Sequence, residues 1–247
     1  MTDYKKQFYQ MYESTHLNVR EEEMSSTYFI KRKKMMLNMY KQYLPKDKSS
    51  LILDLGCGYG EMVGALQDQN YINVSGCDVG EDQIKKGIEL GVKNISVLEI
   101  NKFITNKNEY DKYDFIILRD VLEHFNKVDG LDLISNVFNL LKKNGELFIQ
   151  VPNASSPLFG NVRYGDFTHD IAYTQGSLNQ LLMVCGFKSV KFYPYHSLSG
   201  NSKYHPKNII RKSLSFFINL VFKTIYFLDQ NNFKVITTFN IISIAKK

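Results

Sequence analysis

An open, mostly parallel β-sheet covered by helices on both faces is the fold class that this 247-residue sequence predicts. Three observations predict it. From Leu51 onward, short apolar runs alternate with amphipathic stretches, and parallel neighbours need crossover connections, so the alternation implies a sheet covered on both sides. The first apolar run ends in a bare turn, "LDLGCGYG", of the kind that joins a strand to a helix while leaving room for a ligand. With 44% hydrophobic and 23% charged residues, the chain has the composition of a globular protein long enough to bury a sizeable core.

The elements follow in order. Residues 5–43 contain no glycine or proline, and apolar residues recur at helical spacing in "YFIKRKKMMLNMYKQYL", which predicts helices. "LPKDKSS" breaks that pattern. Strands are then predicted at Leu51–Leu55, Val74–Asp78, Ile95–Glu99, Tyr113–Arg119 and Gly145–Val151. Between them lie helices near Glu61–Asp68, Asp82–Leu90 and Lys127–Lys142, the last ended by "KKNG", basic residues followed by a helix-stopping glycine. "SLNQLLMVCGF" reads as a helix closed by Gly186, "KSVKFYPY" as a strand and "VITTFNIISIAKK" as a terminal strand. Lys207–Asp229 is aromatic and basic. It suits either a membrane surface, lysines outward, or a helix packed on the sheet or on a second subunit, and the packed arrangement is the expectation.

The net charge of +6 fits an anionic ligand or plain solvated surface. Cys57, Cys77 and Cys185 lie far apart with no C-x-x-C pair, so neither a disulfide framework nor a zinc site is suggested. No signal peptide or membrane span is apparent, and a cytoplasmic protein without an integral membrane segment is expected. Ligands of such sheets bind at the carboxyl ends of the strands. The turn Gly56-Cys57-Gly58-Tyr59-Gly60 does not fit a dinucleotide fingerprint, since Glu61 stands where the last glycine belongs, nor a phosphate loop, which needs Gly-Lys-Ser/Thr. Glu61 at a helix entrance would repel a pyrophosphate, so a cationic or neutral ligand part is expected there.

"LDLGCGYG", Asp78 about 20 residues later and "YDFIILRDVLEHF" together resemble the class I S-adenosylmethionine-dependent methyltransferases over roughly Leu51–Gly186. The resemblance implies a Rossmann-like, seven-stranded sheet with an antiparallel last strand and an N-terminal helical lid. It implies a single domain, residues 1–247: a lid over 1–45, a cofactor-binding core over 46–151, and an acceptor-side loop with C-terminal helices and strands over 152–247. It implies S-adenosylmethionine as cofactor. Asp54 would take its ammonium by charge and Gly56 its carboxylate through the backbone N–H. Asp78 would hold both ribose hydroxyls, Glu99 would accept from the adenine amine, and Ile100 would pack on the adenine. Cys57, Gly58, Gly60, Val79, Arg119 and Asp120 would line the same site.

Methyl transfer from a sulfonium is an in-line displacement that needs an aligned acceptor, and a base if the acceptor is a hydroxyl. Asp120 and His124 follow the fourth strand, and His124 suits a structural or cofactor-side role. His169 lies in "VPNASSPLFGNVRYGDFTHDIAYTQGSLNQLL", a long insertion over the expected acceptor mouth, and an imidazole is well suited to accept a proton near neutrality. It is the candidate base; the alternative is that it only ties the loop down. Arg163, Tyr164, Asp166 and Thr168 are the expected acceptor contacts, with Asp170 beside them. The insertion resembles methyltransferases of bacterial surface-polysaccharide pathways, which implies O-methylation of a sugar hydroxyl, often on a nucleotide-activated sugar whose diphosphate Arg163 and nearby lysines would meet. Asp120, Asp166 and His169 have no fixed ligand spacing, so no metal is expected. The alternatives are a methyltransferase of another small molecule or of RNA or protein, although an amino-methylating tetrad and an RNA module are both missing. No nucleic-acid partner is expected, and a homodimer remains open.

Overall fold

The computed structural model describes residue 8 and residues 25–195, 206–229 and 236–247. Helix α1 (Ser26–Tyr40) opens on Ser25, whose side-chain oxygen accepts from the Tyr28 N–H at 3.2 Å. The remainder of the helical segment expected before it lies outside the described residues, except Phe8. The chain continues through β1 (Ile52–Leu55), α2 (Glu61–Gln67), β2 (Val74–Asp78), α3 (Glu81–Glu89), β3 (Ile95–Val97), α4 (Ile100–Ile104) and β4 (Tyr113–Arg119). After β4 come α5 (Lys127–Leu140), β5 (Leu141–Pro152), α6 (Phe159–Arg163), α7 (Gln175–Val184), β6 (Ser189–Pro194), α8 (Pro206–Asp229) and β7 (Asn240–Lys246).

The seven strands form one sheet in the order β3-β2-β1-β4-β5-β7-β6. Neighbours are parallel from β3 to β5, and β7 runs antiparallel to both β5 and β6. Successive side chains of a strand point to opposite faces, and the two cores follow that alternation. Leu53, Ile116, Leu118, Leu147 and Ile149 pack with α4, α5 and α7 on one face. Ile52, Phe115, Ile117, Phe148 and Ile242 pack with α1, α2 and α3 on the other.

Several predicted boundaries move. Strand β3 ends at Val97, so Glu99 belongs to the entrance of α4, where it is the N-cap residue. Helix α5 ends at Leu140 rather than Lys142, and β5 starts at Leu141. The reason is tertiary: the Lys142 ammonium reaches Asp114 at the start of β4, 2.8 and 2.9 Å from its two oxygens, while Asn144 takes a left-handed φ of 68°.

Of the two packed arrangements expected for Lys207–Asp229, on the sheet or on a second subunit, packing on the sheet is not what forms. Helix α8 leaves Ile210, Leu214, Phe216, Phe217, Val221 and Leu228 exposed. Both faces of the sheet are already covered by the helices named above. No described helix is long and apolar enough to cross a membrane.

Candidate functional site

The chain runs from β1 outward to β2 and β3 and then returns to β4 on the other side of β1. The turns after β1 and β4 therefore diverge and open a crevice at the carboxyl end of the sheet. Gly56, Gly58 and Gly60 have φ of +77°, +53° and +74°, the left-handed region that side chains disfavour. A Cβ on Gly56 would stand 2.4 Å from Val121 Cγ2, so only a bare residue lets the two turns lie side by side.

The carboxylate of Asp78, at the tip of β2, braces this turn. It accepts from the Gly58 N–H through Oδ2 and from the Gly80 N–H through Oδ1, both at 2.8 Å. Each oxygen keeps a second lone pair for a donor from solvent or ligand. Val79 lies half-buried between them, and Cys57 is buried beneath the turn. One expectation needs correcting. The Gly56 N–H is not aimed at a ligand carboxylate, because it donates to the Cys77 carbonyl at 2.8 Å, continuing the β1–β2 ladder. Gly56 serves by its missing side chain.

Behind the turn, Asp54 is 1% exposed and its Oδ2 has no partner among the described residues. Burial pushes its carboxyl up to about 7; Arg119 opposes the shift, and Asp78 and Glu61 reinforce it. Arg119, ending β4, is half-buried, and its Nε is buried with no partner among the described residues. Burial disfavours its charge, yet Asp120, Tyr40, Glu61 and Asp54 together hold the guanidinium protonated. One unpaired carboxyl oxygen and one unpaired cationic donor thus share the floor of the crevice. Leaving such groups unmatched is costly, commonly about 1–3 kcal/mol each, unless a ligand supplies the partners.

A polar chain extends from Arg119 across the sheet. Arg119 contacts Glu61 at 3.9 Å and Asp120 at 3.4 Å, and Arg32 of α1 pairs with Glu61 from above. Asp120 accepts both bonds of the Gln150 amide, at 2.8 and 3.0 Å, and Gln150 Oε1 accepts from the Tyr40 hydroxyl at 2.7 Å. The sequence reading missed Arg32, Tyr40 and Gln150. A signal existed for Gln150, a lone amide inside the buried run "LFIQV". Asp120 is accordingly a positioning residue of this chain, its carboxylate turned to Gln150 and Arg119. Glu99 is partly exposed with Lys102 3.8 Å away, and Ile100 is buried at the start of α4, so both stand at the β3 end of the crevice.

The insertion after β5 closes on itself where Asn153 bridges Tyr173. Asn153 is fully buried and donates to the Ile236 and Thr238 carbonyls, both at 2.8 Å, anchoring the loop to the segment before β7. The far end docks on the turn after β4 through the Asp170 N–H to the Glu123 carbonyl at 2.7 Å. That docking brings the His169 and His124 rings to 4.7 Å, edge to face. His169 Nδ1 lies 2.8 Å from the Val162 carbonyl, which can only accept, so Nδ1 carries the proton and Nε2 the lone pair. Burial lowers the His169 pKa despite the opposing effect of Asp166. His124 Nδ1 lies 2.9 Å from Thr168 Oγ1, and that hydroxyl donates its one proton to Asp166 Oδ1 at 2.6 Å. Nδ1 of His124 is therefore a donor as well. Burial works against ionisation of Asp166, but the two bonds from Thr168 and the nearby imidazoles hold its pKa below the usual carboxylate range.

Several expected acceptor contacts turn inward. Thr168 is 1% exposed and orients His124. The Arg163 guanidinium donates to the carbonyls of His169 and Asp170 and lies over the Tyr164 ring at 4.9 Å, so it fastens the loop instead of waiting for a diphosphate. Tyr164 and Phe167 are exposed, and Phe8, from the segment expected to form a lid, stacks on Phe167 with centroids 5.1 Å apart. Glu123, which the sequence reading passed over inside "VLEHF", is 1% exposed with Oε2 unpartnered. Burial, reinforced by Asp120, raises its pKa well above the usual range.

Residues 28–191 match the family described as a methyltransferase domain. No curated protein matches the chain by sequence. Among solved structures, a SAM-dependent methyltransferase from Archaeoglobus fulgidus superposes with a TM-score of 0.63 at 23% identity, over 89% of this chain and 99% of that one. An S-adenosylmethionine-dependent methyltransferase from Mesorhizobium loti gives 0.60 at 14%, over 84% and 95%. The 1,6-didemethyltoxoflavin-N1-methyltransferase of Burkholderia thailandensis, with bound 1,6-didemethyltoxoflavin and S-adenosylhomocysteine, gives 0.57 at 12%, over 99% and 89%. At these identities the likeness is one of fold.

Proposed function

The chain belongs to the methyltransferase-domain family, and from that footing we propose that it is an S-adenosylmethionine-dependent O-methyltransferase acting on a sugar hydroxyl, as in a nucleotide-activated sugar or a surface-polysaccharide precursor. The observation that carries the cofactor reading is the floor of the crevice, where an unpaired carboxylate oxygen of Asp54 and an unpaired Nε–H of Arg119 lie beside the glycine turn. An amino-acid zwitterion supplies the ammonium and carboxylate that these two groups lack. Asp78, its oxygens already aligned by Gly58 and Gly80, accepts from a vicinal pair of ribose hydroxyls. Glu99 and Ile100, at the entrance of α4, bound the adenine end. The bound cofactor supplies a methyl group on a sulfonium, open to in-line attack.

The protein's own task is then alignment and proton removal. The loop of residues 153–173 places His169 at the mouth, with its tautomer set by Val162 so that Nε2 accepts the hydroxyl proton. Its lowered pKa keeps the imidazole neutral, the form a base requires. The sugar acceptor is supported by the resemblance of the insertion. Two measurements test the reading. Calorimetry should detect S-adenosylmethionine at submillimolar concentration, with Asp78→Ala weakening it by about 1–3 kcal/mol. A screen of sugar nucleotides should then yield a methylated product. Absence of cofactor binding would end the proposal, and methylation confined to a non-sugar acceptor would end its substrate half.

A further inference from the structure

We propose that Glu123, His124 and His169 form a binding site for a divalent first-row transition-metal ion at the acceptor mouth. Among the described residues, these three bring one ligand atom each to within 4.8 Å of one another. They come from two segments, the turn after β4 and the insertion after β5, and the Asp170 to Glu123 backbone bond that joins those segments also sets the spacing.

Two independent features mark the cluster as a cation site and not a chance grouping. The first is the carboxylate. Glu123 is 1% exposed and its Oε2 has no hydrogen-bond partner, an arrangement that a buried acid rarely keeps unless something else satisfies it. The second is the support behind the rings. A metal-binding histidine usually donates its other ring N–H to a carbonyl or carboxylate, which fixes the tautomer and presents the second nitrogen. His169 does so to the Val162 carbonyl at 2.8 Å. His124 does so to Thr168 Oγ1 at 2.9 Å, and Thr168 passes its own proton to Asp166 at 2.6 Å. Each ring therefore directs a nitrogen lone pair elsewhere. Asp120 and Asp166, which might have competed as ligands, are committed to Gln150 and Thr168.

The donor set selects the metal. Two imidazoles and one carboxylate suit Mn²⁺, Fe²⁺, Co²⁺, Ni²⁺ or Zn²⁺, whereas Mg²⁺ and Ca²⁺ favour oxygen ligands. Donors bound at about 2.0–2.2 Å around one ion sit about 3–4 Å apart, so the cluster must contract by roughly 1 Å. Three protein ligands leave open positions, where an acceptor hydroxyl would lie and lose its proton more readily. The inference rests on reading the insertion as the acceptor mouth and alters one role there: with the ion bound, His169 is a ligand, and the hydroxyl proton leaves to water.

The test uses the full chain, dialysed against a chelator and titrated with CoCl₂. The expected result is visible absorption from a nitrogen- and oxygen-bound Co²⁺ saturating near one equivalent, with affinity at least ~10-fold weaker in Glu123→Gln and in His169→Ala. His169 lies on the half-exposed loop, so its variant gives an answer even if Glu123→Gln does not fold. Absence of that absorption, or Co²⁺ affinity unchanged in His169→Ala, would overturn the proposal. Calorimetry of S-adenosylmethionine on the metal-free chain separates the two readings: cofactor binding and full turnover without metal would leave the methyltransferase standing and remove only the ion's part in proton loss.

Discussion

Cofactor affinity should climb steeply as pH rises toward neutrality, because the group assigned to the cofactor's ammonium is a carboxylate that the free protein keeps largely protonated. Asp54 titrates near 7, raised by burial with only partial relief from Arg119. An ammonium favours the ionised form, so the Asp54 pKa falls in the complex and binding below that pH releases a proton. A carboxyl of pKa 7 is about 3% ionised at pH 5.5 and half ionised at pH 7, so the affinity should grow about 16-fold over that interval, about 1.6 kcal/mol, and level off above it. Calorimetric titration at several pH values measures the slope, and buffers of different ionisation enthalpy should reveal the released proton. Asp54→Asn, nearly isosteric, should bind more weakly at pH 7 and show a flat profile. A flat profile in the unaltered chain, or the same slope in Asp54→Asn, would refute the pairing of Asp54 with the ammonium.

Stability of the ligand-free chain should move the other way. Asp54 and Glu123 hold their protons more tightly folded than unfolded, so the folded state loses stability as pH rises from about 4 toward 7, and Asp54→Asn should flatten the fall in melting temperature. Gly56→Ala forces a side chain into a left-handed φ of +77° and against Val121 Cγ2 at 2.4 Å, and it should lower the melting temperature and abolish cofactor binding together. Wild-type affinity in that variant would mean that the two turns can separate freely. Tyr40→Phe removes the only donor to Gln150 Oε1 recorded among the described residues and should cost about 1–3 kcal/mol in denaturant unfolding. His169→Ala should leave cofactor affinity intact and reduce turnover roughly 100-fold or more, whereas full turnover would remove His169 from the proton-transfer step.

Much of this was legible without coordinates where the signal was local. The glycine turn, Asp78 and the strands around them announce themselves by residue type and spacing, because a strand covered on both faces reads as a short apolar run and a tight turn must shed its side chains. The end of β3 was misplaced at Glu99, since β3 is an edge strand with one neighbour to define its length. The inward turn of Arg163 and Thr168 could not be read, because a polar side chain in a loop has no periodicity to say which way it faces. The exposed apolar face of α8 could not be read either. An amphipathic pattern reports that a face is apolar, and nothing about whether the sheet has room left for it.

By itself the sequence determined the class of fold, the position of the crevice and the carboxylate at its rim, all consequences of hydrophobic period and of where glycine is required. Tertiary structure decided the pairings. Arg32 meets Glu61 from 29 positions away, Tyr40 meets Gln150 from 110, and His124 finds Thr168 from 44. Such contacts depend on which strands become neighbours and on where an insertion docks. The free energy that selects them is shared across the whole sheet, so no stretch of chain carries them alone.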